Sequence, residues 1–508
     1  METWFIFLLT ISICLLLKAF FNLFSSPKTL LPPSPPSFPV LGNILWSLKS
    51  VFQIEQNIRR FRRTLGPIIA LRIGPRPSIF VFDRSLAHQA LIQNGSLFSD
   101  RPKSLPANKI MNSNQHNISS GSYGPLWRLL RRNLTSEILH PSRVKSYAHA
   151  RKWVLDILFD GLRQKAEIGE PVEVLVHLRY AILCLLGLMC FGDKISEEQI
   201  KEIAAIQRRV LTGFGKLNLL NFWPRFLLRK QWNELFQLRN DLESVLIPLI
   251  RARKEAKTDG DSDSDSVLAY VDTLFDLELP EEKRKLDEKE IVTLASEFIN
   301  AGTDTTSTAL QWIMANLVKH PHIQERLLVE IRGVVGDGGV EEIKQDDLQK
   351  LPYLKAVVLE GLRRHPPTHF VVPHCVTEDT VLGGYLIPKN GVVNFMVADM
   401  GWDPTVWEDP MAFKPERFMA NGGGGGGGGE VFDITGSREI KMMPFGVGRR
   451  ICPGLGLALL HLEYFVANLV WRFEWNAMDG DEISLEEKME FTIVMKTPLM
   501  AHISPRKI

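Results

Sequence analysis

Cysteine is scarce in this chain, with five among 508 residues: Cys14, Cys184, Cys190, Cys375 and Cys452. No two of them form a CxxC pair. A disulfide framework or a structural zinc site needs a denser arrangement, so both are disfavoured. We therefore expect the folded part of the chain to lie in a reducing compartment.

Net charge is also nearly absent, because 60 Lys and Arg residues balance 58 Asp and Glu residues. A nucleic-acid partner would normally leave a basic excess, so we expect no nucleic acid to bind. The glycine run at residues 422–429 lacks the Lys-Ser/Thr that completes a phosphate-binding loop. That run and the Asp-, Gly- and Ser-rich residues 259–266 are predicted surface insertions.

No charged residue lies between Glu2 and Lys18, and the chain stays mostly apolar past Lys18 as far as Phe24. These residues, about 21 of them, would form roughly 31 Å of helix, which spans a hydrocarbon core. A cleaved signal peptide is the alternative, but it would begin with positive charge. Here Lys18 and the basic residues 59–63 follow the run and place its C-terminal side in the cytosol.

Proline is dense at residues 32–39, which favours an extended, semi-rigid spacer over a ligand for a proline-binding module. The predicted organisation is a transmembrane anchor at residues 1–24, a proline-rich hinge at 25–42 and one large domain at 43–508.

Helical periodicity dominates the large domain. Asp287 and Glu290 form a capping box that opens a long helical pattern, and Pro321 stops that pattern at His320. Strand-like runs are fewer, at residues 68–73, 78–82, 380–387 and 392–397. The predicted fold class is therefore mainly α with a small β-sheet region (α+β).

The strongest local signal is Pro-Phe-Gly-Val-Gly-Arg-Arg-Ile-Cys-Pro-Gly at residues 444–454. Gly446 and Gly448 permit a tight turn, and residues 455–472 are a predicted helix with Pro453 suited to its first position. Cys452 would then lie at a helix N-terminus, where the dipole and the nearby Arg450 favour a thiolate. Such a thiolate is either a nucleophile or a metal ligand.

The second signal is Ala-Gly-Thr-Asp-Thr-Thr at residues 301–306, midway along the long helical pattern. Glycine and threonine are poor helix formers, so the helix should be weakened there. Taken alone, the segment predicts a kink, with hydroxyl groups bonding back to carbonyls one turn earlier.

Two pairs of residues have the spacing that places both side chains on one face of a helix. Glu360 and Arg363 are three residues apart, and if exposed they would contribute only a few tenths of a kcal/mol. Trp127 and Arg131 are four apart, which taken alone indicates a core aromatic residue beside a surface arginine.

Together these segments resemble the cytochrome P-450 superfamily, in its plant microsomal form, over essentially the whole chain. The resemblance implies that Cys452 is the axial ligand of haem b and that Arg450, Trp127 and Arg131 contact the haem propionates. It implies room for oxygen and substrate above the haem at Ala301 and Gly302. The other signature positions of the haem-binding segment are Phe445, Gly448 and Gly454, and Gly446 is also an expected cofactor-binding residue.

The resemblance also assigns two groups of polar residues. Asp304 and Thr305 would form an acid–alcohol pair that relays protons to oxygen. Glu360, Arg363 and Arg417 would form a buried network that supports the haem loop rather than the chemistry.

The implied function is a monooxygenase that inserts one atom of O2 into an apolar small molecule. Electrons would come from an NADPH-dependent flavoprotein reductase, since this chain has no Rossmann fingerprint. Predicted pocket segments are residues 105–123, 298–305, 368–373 and 492–498, and Arg131, Arg132 and Arg449 could face an acidic redox partner. The enzyme would be a single-pass protein of the endoplasmic reticulum membrane that faces the cytosol.

Two other functions are consistent with a haem-thiolate protein. One is an isomerase or dehydratase that acts on peroxides without a reductase, although relatives of that kind usually lack the threonine found here at Thr305. The other is a non-catalytic, membrane-tethered protein that binds haem or a ligand.

Overall fold

The structure is a computed structural model that describes residues 4, 7, 10, 12–14, 31–35, 51–73, 76–192, 195–223, 225–258, 267–336, 339–419, 432–478 and 482–506. Most of the predicted anchor and both predicted surface insertions, at 259–266 and 422–429, lie outside these residues. The chain divides into two compact units. The first comprises Met1–Asp100 and Pro373–Phe395, and the second comprises Arg101–Val372 and Met396–Ile508.

The first unit is built on a four-stranded sheet. Its described elements are α1 (Val51–Leu65), β1 (Ile68–Ile73), β2 (Arg76–Val81), α2 (Arg84–His88), β4 (His374–Cys375), β5 (Thr380–Leu382), β6 (Tyr385–Ile387) and β7 (Val392–Phe395). The sheet order is β1-β2-β7-β4, with β2 and β7 parallel and the other pairs antiparallel. The Pro33 carbonyl accepts a hydrogen bond from the Ala70 N–H of β1, so this part of the predicted hinge lies on the sheet.

The second unit is mainly helical. Its helices are α3 (Pro106–Met111), α4 (Pro125–Asn133), α5 (Pro141–Ser146), α6 (Ala148–Glu167), α7 (Val174–Phe191), α8 (Glu197–Phe222), α9 (Arg229–Thr258), α10 (Glu288–Lys319), α11 (Pro321–Val335), α12 (Gln345–Leu348), α13 (Pro352–Arg364), α14 (Val397–Gly401) and α15 (Leu455–Arg472). Its strands are β3 (Val172–Glu173), β8 (Phe473–Asn476), β9 (Glu487–Met489), β10 (Ile493–Met495) and β11 (Met500–Pro505). They form a three-stranded sheet of order β3-β11-β8 and the hairpin β9–β10.

The core of the second unit surrounds α10, whose residues 306–318 are all buried. The helix begins at the predicted capping box, in which the Asp287 side chain accepts from the Glu290 N–H and the Glu290 side chain accepts from the Asp287 N–H. It packs chiefly on α7 and also contacts α13 and α15. Of the described helices, α7 alone is long and apolar enough to cross a membrane, but 78% of it is buried in this core.

Three strand predictions need correction. The run at 78–82 is β2, which begins two residues earlier, at Arg76. The run at 380–387 is a hairpin of β5 and β6, because Gly383 and Gly384 adopt positive φ and reverse the chain. The run at 392–397 ends at Phe395, and Val397 begins α14.

Candidate active site

The cysteine loop is held by its own backbone. Gly446 and Gly448 both adopt positive φ, at 66° and 71°, which glycine reaches without strain. The turn they make lets the Cys452 N–H donate to the Phe445 carbonyl at 2.8 Å. The predicted helix α15 begins at Leu455 with Gly454 as its cap. Pro453 therefore precedes the cap, and its predicted place at the first helical position is wrong.

The Cys452 thiol is half-buried beside one cation and one N–H group. Burial raises its pKa above the ordinary value, although the Gly454 N–H and the Arg131 guanidinium act to lower that pKa. A coordinating metal ion would deprotonate the thiol outright.

Trp127 is the centre of a cluster of cations. The Arg450 guanidinium lies 4.1 Å from the centre of its ring and the Arg131 guanidinium 5.5 Å, as in cation–π contacts. Arg131 also donates to the Ile451 carbonyl at 2.6 Å, which ties this cluster to the cysteine loop. The ring N–H of Trp127 donates to the Ile118 carbonyl at 3.0 Å.

The middle of α10 presents an accessible face. Ala301 is exposed and Thr305, one turn later, is half-buried. The Thr305 hydroxyl donates to the Ala301 carbonyl at 2.6 Å, the back-bonding expected of a helical threonine. The helix remains continuous from Glu288 to Lys319, so the poor helix formers at residues 301–306 do not interrupt it.

Asp304 and Thr305 are neighbours with different partners. The Asp304 side chain is buried, and it accepts from Arg179 of α7 at 3.0 Å and from the Thr492 hydroxyl at 2.8 Å. Thr492 also contacts the Thr308 hydroxyl at 3.0 Å. The carboxylate is therefore held by α7 and by the β9–β10 hairpin rather than by Thr305.

Gly302 lies at the contact between α10 and α7. A Cβ atom at this position would lie 2.5 Å from Cδ1 of Leu186 in α7. The missing side chain thus allows α10 and α7 to approach each other, and room for oxygen and substrate beside Gly302 stays a prediction. Ala301 remains on the accessible face.

The structure brings Glu360, Arg363 and Arg417 together. Arg363 donates to both carboxylate oxygens of Glu360, at 2.7 and 2.8 Å, and both side chains are fully buried. The Nε of Arg417 lies 3.4 Å from the same carboxylate, and the Lys414 N–H donates to it at 2.8 Å. These bonds join α13 to the segment before the cysteine loop.

Sequence reasoning missed the residues that contact the site from distant positions in the sequence. Arg179 is 125 positions before Asp304, and Thr492 is 188 positions after it. Thr492 fell within a predicted pocket segment, but no spacing rule links it to Asp304. Residues 117–121, whose carbonyls receive Trp127 and Arg450, lie within the predicted pocket segment 105–123, but no motif there links them to Trp127 or Arg450.

These side chains suit a haem group. A cysteine thiol at a loop end is the donor that a haem-thiolate protein requires. Two arginines beside it suit carboxylate groups, and the accessible face of α10 presents small side chains at Ala301 and Thr305.

Comparison with known proteins gives the same family. Residues 32–503 match the family model described as cytochrome P450. The chain is 53% identical to cytochrome P450 89A9 of Arabidopsis thaliana, over 98% of this chain and 97% of the relative. It is 30% identical to geraniol 8-hydroxylase of Catharanthus roseus, over 97% and 98% of the two chains.

Solved structures show the same fold. A zebra fish cytochrome P450 with progesterone superimposes with a TM-score of 0.73 at 22% identity, over 89% of this chain and 99% of that one. The predicted mainly helical fold is thereby confirmed. The chain belongs to the cytochrome P450 family and is a haem-thiolate monooxygenase of small molecules, whose electrons come from NADPH through a redox partner.

Proposed function

We propose that this enzyme oxidises an apolar small molecule at the endoplasmic reticulum membrane, with Cys452 as the iron ligand. The observation that carries the assignment is the half-buried Cys452 thiol next to the Arg131 cation and the Gly454 N–H. When bound, a thiolate-ligated haem supplies an electron-rich iron that favours cleavage of the O–O bond.

Proton delivery is assigned to Thr305 and Asp304. The Thr305 hydroxyl is on the accessible face of α10, and its oxygen keeps lone pairs after donating to Ala301. Asp304 is the buried carboxylate next in sequence, and Arg179, with a side chain 28% exposed, gives it an ionic link toward solvent. We assign Thr305 the contact with the reacting oxygen and Asp304 the supply of protons.

The remaining predicted residues hold the cofactor or the loop around it. Trp127, Arg131 and Arg450 would bind the propionates, since guanidinium groups form strong charge-assisted hydrogen bonds with carboxylates. Phe445, Gly446 and Gly454 shape the loop that carries Cys452. The buried network of Glu360, Arg363 and Arg417 stabilises the fold next to that loop.

An apolar substrate fits the residues that remain accessible near α10. Phe298 is half-buried one turn before Ala301, and Phe491, which is 40% exposed, precedes Thr492, whose hydroxyl contacts Asp304 and Thr308 of α10. Large apolar side chains that are accessible beside a few polar groups are typical of a small-molecule site.

Membrane association is supported by a second apolar group besides the N-terminal run. Trp223, Phe226 and Leu227, between α8 and α9, are 42%, 73% and 56% exposed. Arg225 and Arg229 flank them, a combination suited to a lipid interface with anionic headgroups. We expect the full chain to stay in the membrane pellet after alkaline carbonate extraction, and its release would contradict a membrane-spanning anchor.

The redox partner would bind near the exposed Arg132 and Arg449. A flavoprotein reductase with an acidic face would associate faster with this pair of cations. Charge reversal in Arg132→Glu should slow reduction of the iron by reductase and leave reduction by dithionite unchanged. An unchanged rate with reductase would exclude this surface.

The central test is the spectrum of the reduced, carbon-monoxide-bound enzyme. Wild type should give the thiolate-type spectrum and Cys452→Ser should lose it, whereas Cys375→Ser, at a buried cysteine of the other unit, should retain it. Retention in Cys452→Ser would overturn the ligand assignment. Spin-shift screening should then find apolar ligands, and turnover that needs NADPH and reductase would separate a monooxygenase from an isomerase or a binding protein.

A further inference from the structure

Glu297 joins the accessible face of α10 to a loop. It lies four residues before Ala301, so its side chain starts from the same helix face as Ala301 and Thr305. Its Oε2 accepts from the Ile118 N–H at 2.9 Å, and its Oε1 accepts from the Ser119 N–H at 2.7 Å. The Asn117 amide, at 2.9 Å, and the Ser119 hydroxyl also donate to this carboxylate.

The peptide group between Ile118 and Ser119 has charged groups at both ends. Its N–H is the Ser119 N–H that donates to Glu297. Its carbonyl is the Ile118 carbonyl, which accepts from the Trp127 ring N–H at 3.0 Å and from the Arg450 Nη1 at 3.4 Å. Hydrogen bonds in such a chain polarise one another, so the anion at one end strengthens the bonds at the other.

Two other carbonyl groups of residues 117–121 also accept hydrogen bonds from arginine side chains. Arg450 Nη2 donates to the Gly121 carbonyl at 2.7 Å, and Arg101 Nε donates to the Ser119 carbonyl at 2.9 Å. A Cβ on Gly121 would lie 2.3 Å from the Asn117 carbonyl oxygen, so the loop folds tightly on itself. The loop carbonyls therefore receive cations, and Glu297 receives the N–H groups of Ile118 and Ser119.

We propose that Glu297 is a positioning residue for the propionate side of the haem site. Its carboxylate fixes the peptide group between Ile118 and Ser119, and that peptide group fixes the side chains of Trp127 and Arg450. This role rests on the proposed function, in which Trp127 and Arg450 bind the propionates. Glu297 itself touches neither the cofactor nor the substrate in this scheme.

Haem release measures the effect directly. In the full-length holoenzyme, Glu297→Leu should transfer haem to excess apomyoglobin at least about tenfold faster than wild type, the change expected from losing one hydrogen bond to a charged group. Glu297→Gln keeps one acceptor oxygen and should lie between the two. If the leucine variant fails to fold, the glutamine variant still tests the role of Glu297. Amide exchange at Ile118 and Ser119 should accelerate in both variants.

Glu290→Gln is the matched control. Glu290 lies on the same helix and also contacts this region, through His116 at 2.6 Å, but it does not contact the peptide group between Ile118 and Ser119. Glutamine also preserves the capping box. This variant should release haem at the wild-type rate.

A double-mutant cycle with Trp127→Phe separates positioning from general destabilisation. Trp127→Phe removes the N–H that binds the Ile118 carbonyl, so its effect on haem release and that of Glu297→Gln should not add. Additive effects, or a wild-type release rate in Glu297→Leu, would overturn the role of Glu297. A wild-type chain that bound no haem through thiolate would instead overturn the proposed function.

Discussion

Single side chains in this site acquire their environment from partners far away in sequence. Asp304 precedes Thr305 in a motif that suggests an acid–alcohol pair, yet the Asp304 carboxylate accepts its hydrogen bonds from Arg179 and Thr492. The motif identifies which residues matter, but the arrangement of their hydrogen bonds depends on α7 and on the β9–β10 hairpin. Local spacing carries no information about either.

Removal of the Thr305 hydroxyl should uncouple NADPH oxidation from product formation. General acid–base groups commonly contribute a hundredfold or more, so Thr305→Ala should lower product formed per NADPH by about tenfold or more while NADPH oxidation continues. Thr305→Ser keeps the hydroxyl and should preserve coupling. The ratio of product to NADPH consumed measures this, and full coupling in the alanine variant would contradict a role in proton delivery.

Loss of Arg363 should destabilise the fold severely, because Glu360 would remain buried without its main partner. Breaking one partner of a buried pair costs about 3–5 kcal/mol, so Arg363→Met should lower the free energy of unfolding by that amount in a urea titration. Lys152→Ala removes the cation of an exposed pair with Asp156 and should cause little change. Equal losses of unfolding free energy in the two variants would show that burial of the ion pair does not determine the cost of breaking it.

At the scale of elements, prediction succeeded where the signal was local. The capping box at Asp287 and Glu290 and the helix Leu455–Arg472 both occur as predicted. Neighbours in space decide elsewhere: the threonine-rich stretch of α10 stays helical with Thr303, Asp304 and Thr306 buried, and Gly302 lies at the contact with α7. Tertiary packing overrode propensity in both cases.

The contact of α10 with α7 gives a prediction at this scale. Gly302→Ala places a methyl group against Leu186 and should lower the free energy of unfolding by about 1 kcal/mol, because overpacking costs about 1–3 kcal/mol and the better helix propensity of alanine returns about 1 kcal/mol. A second substitution, Leu186→Val, should restore part of the loss. Gly333→Ala, in α11, adds a methyl with no atom within 4 Å and should instead stabilise by about 0.5–1 kcal/mol. A neutral Gly302→Ala would contradict close packing here.

At the scale of the whole molecule, two buried histidines make the free energy of unfolding depend on pH. Burial lowers the pKa of His461 to about 3 and that of His365 to about 4, and in both cases it is the dominant cause. Both side chains are buried, His461 on α15 and His365 after α13. The folded protein therefore keeps both rings neutral at pH values where the unfolded chain protonates them, below about 6.5.

The sign of the pH dependence follows from proton counts. Below about pH 6.5 the unfolded chain binds more protons at these rings, so the free energy of unfolding falls as the pH falls, until each folded pKa is reached. Each ring contributes about 1.4 kcal/mol per pH unit. His461→Phe should flatten the slope between pH 6 and 4.5 by about that amount, measured by urea denaturation at each pH. Equal slopes for wild type and His461→Phe would show that His461 can be protonated in the folded protein.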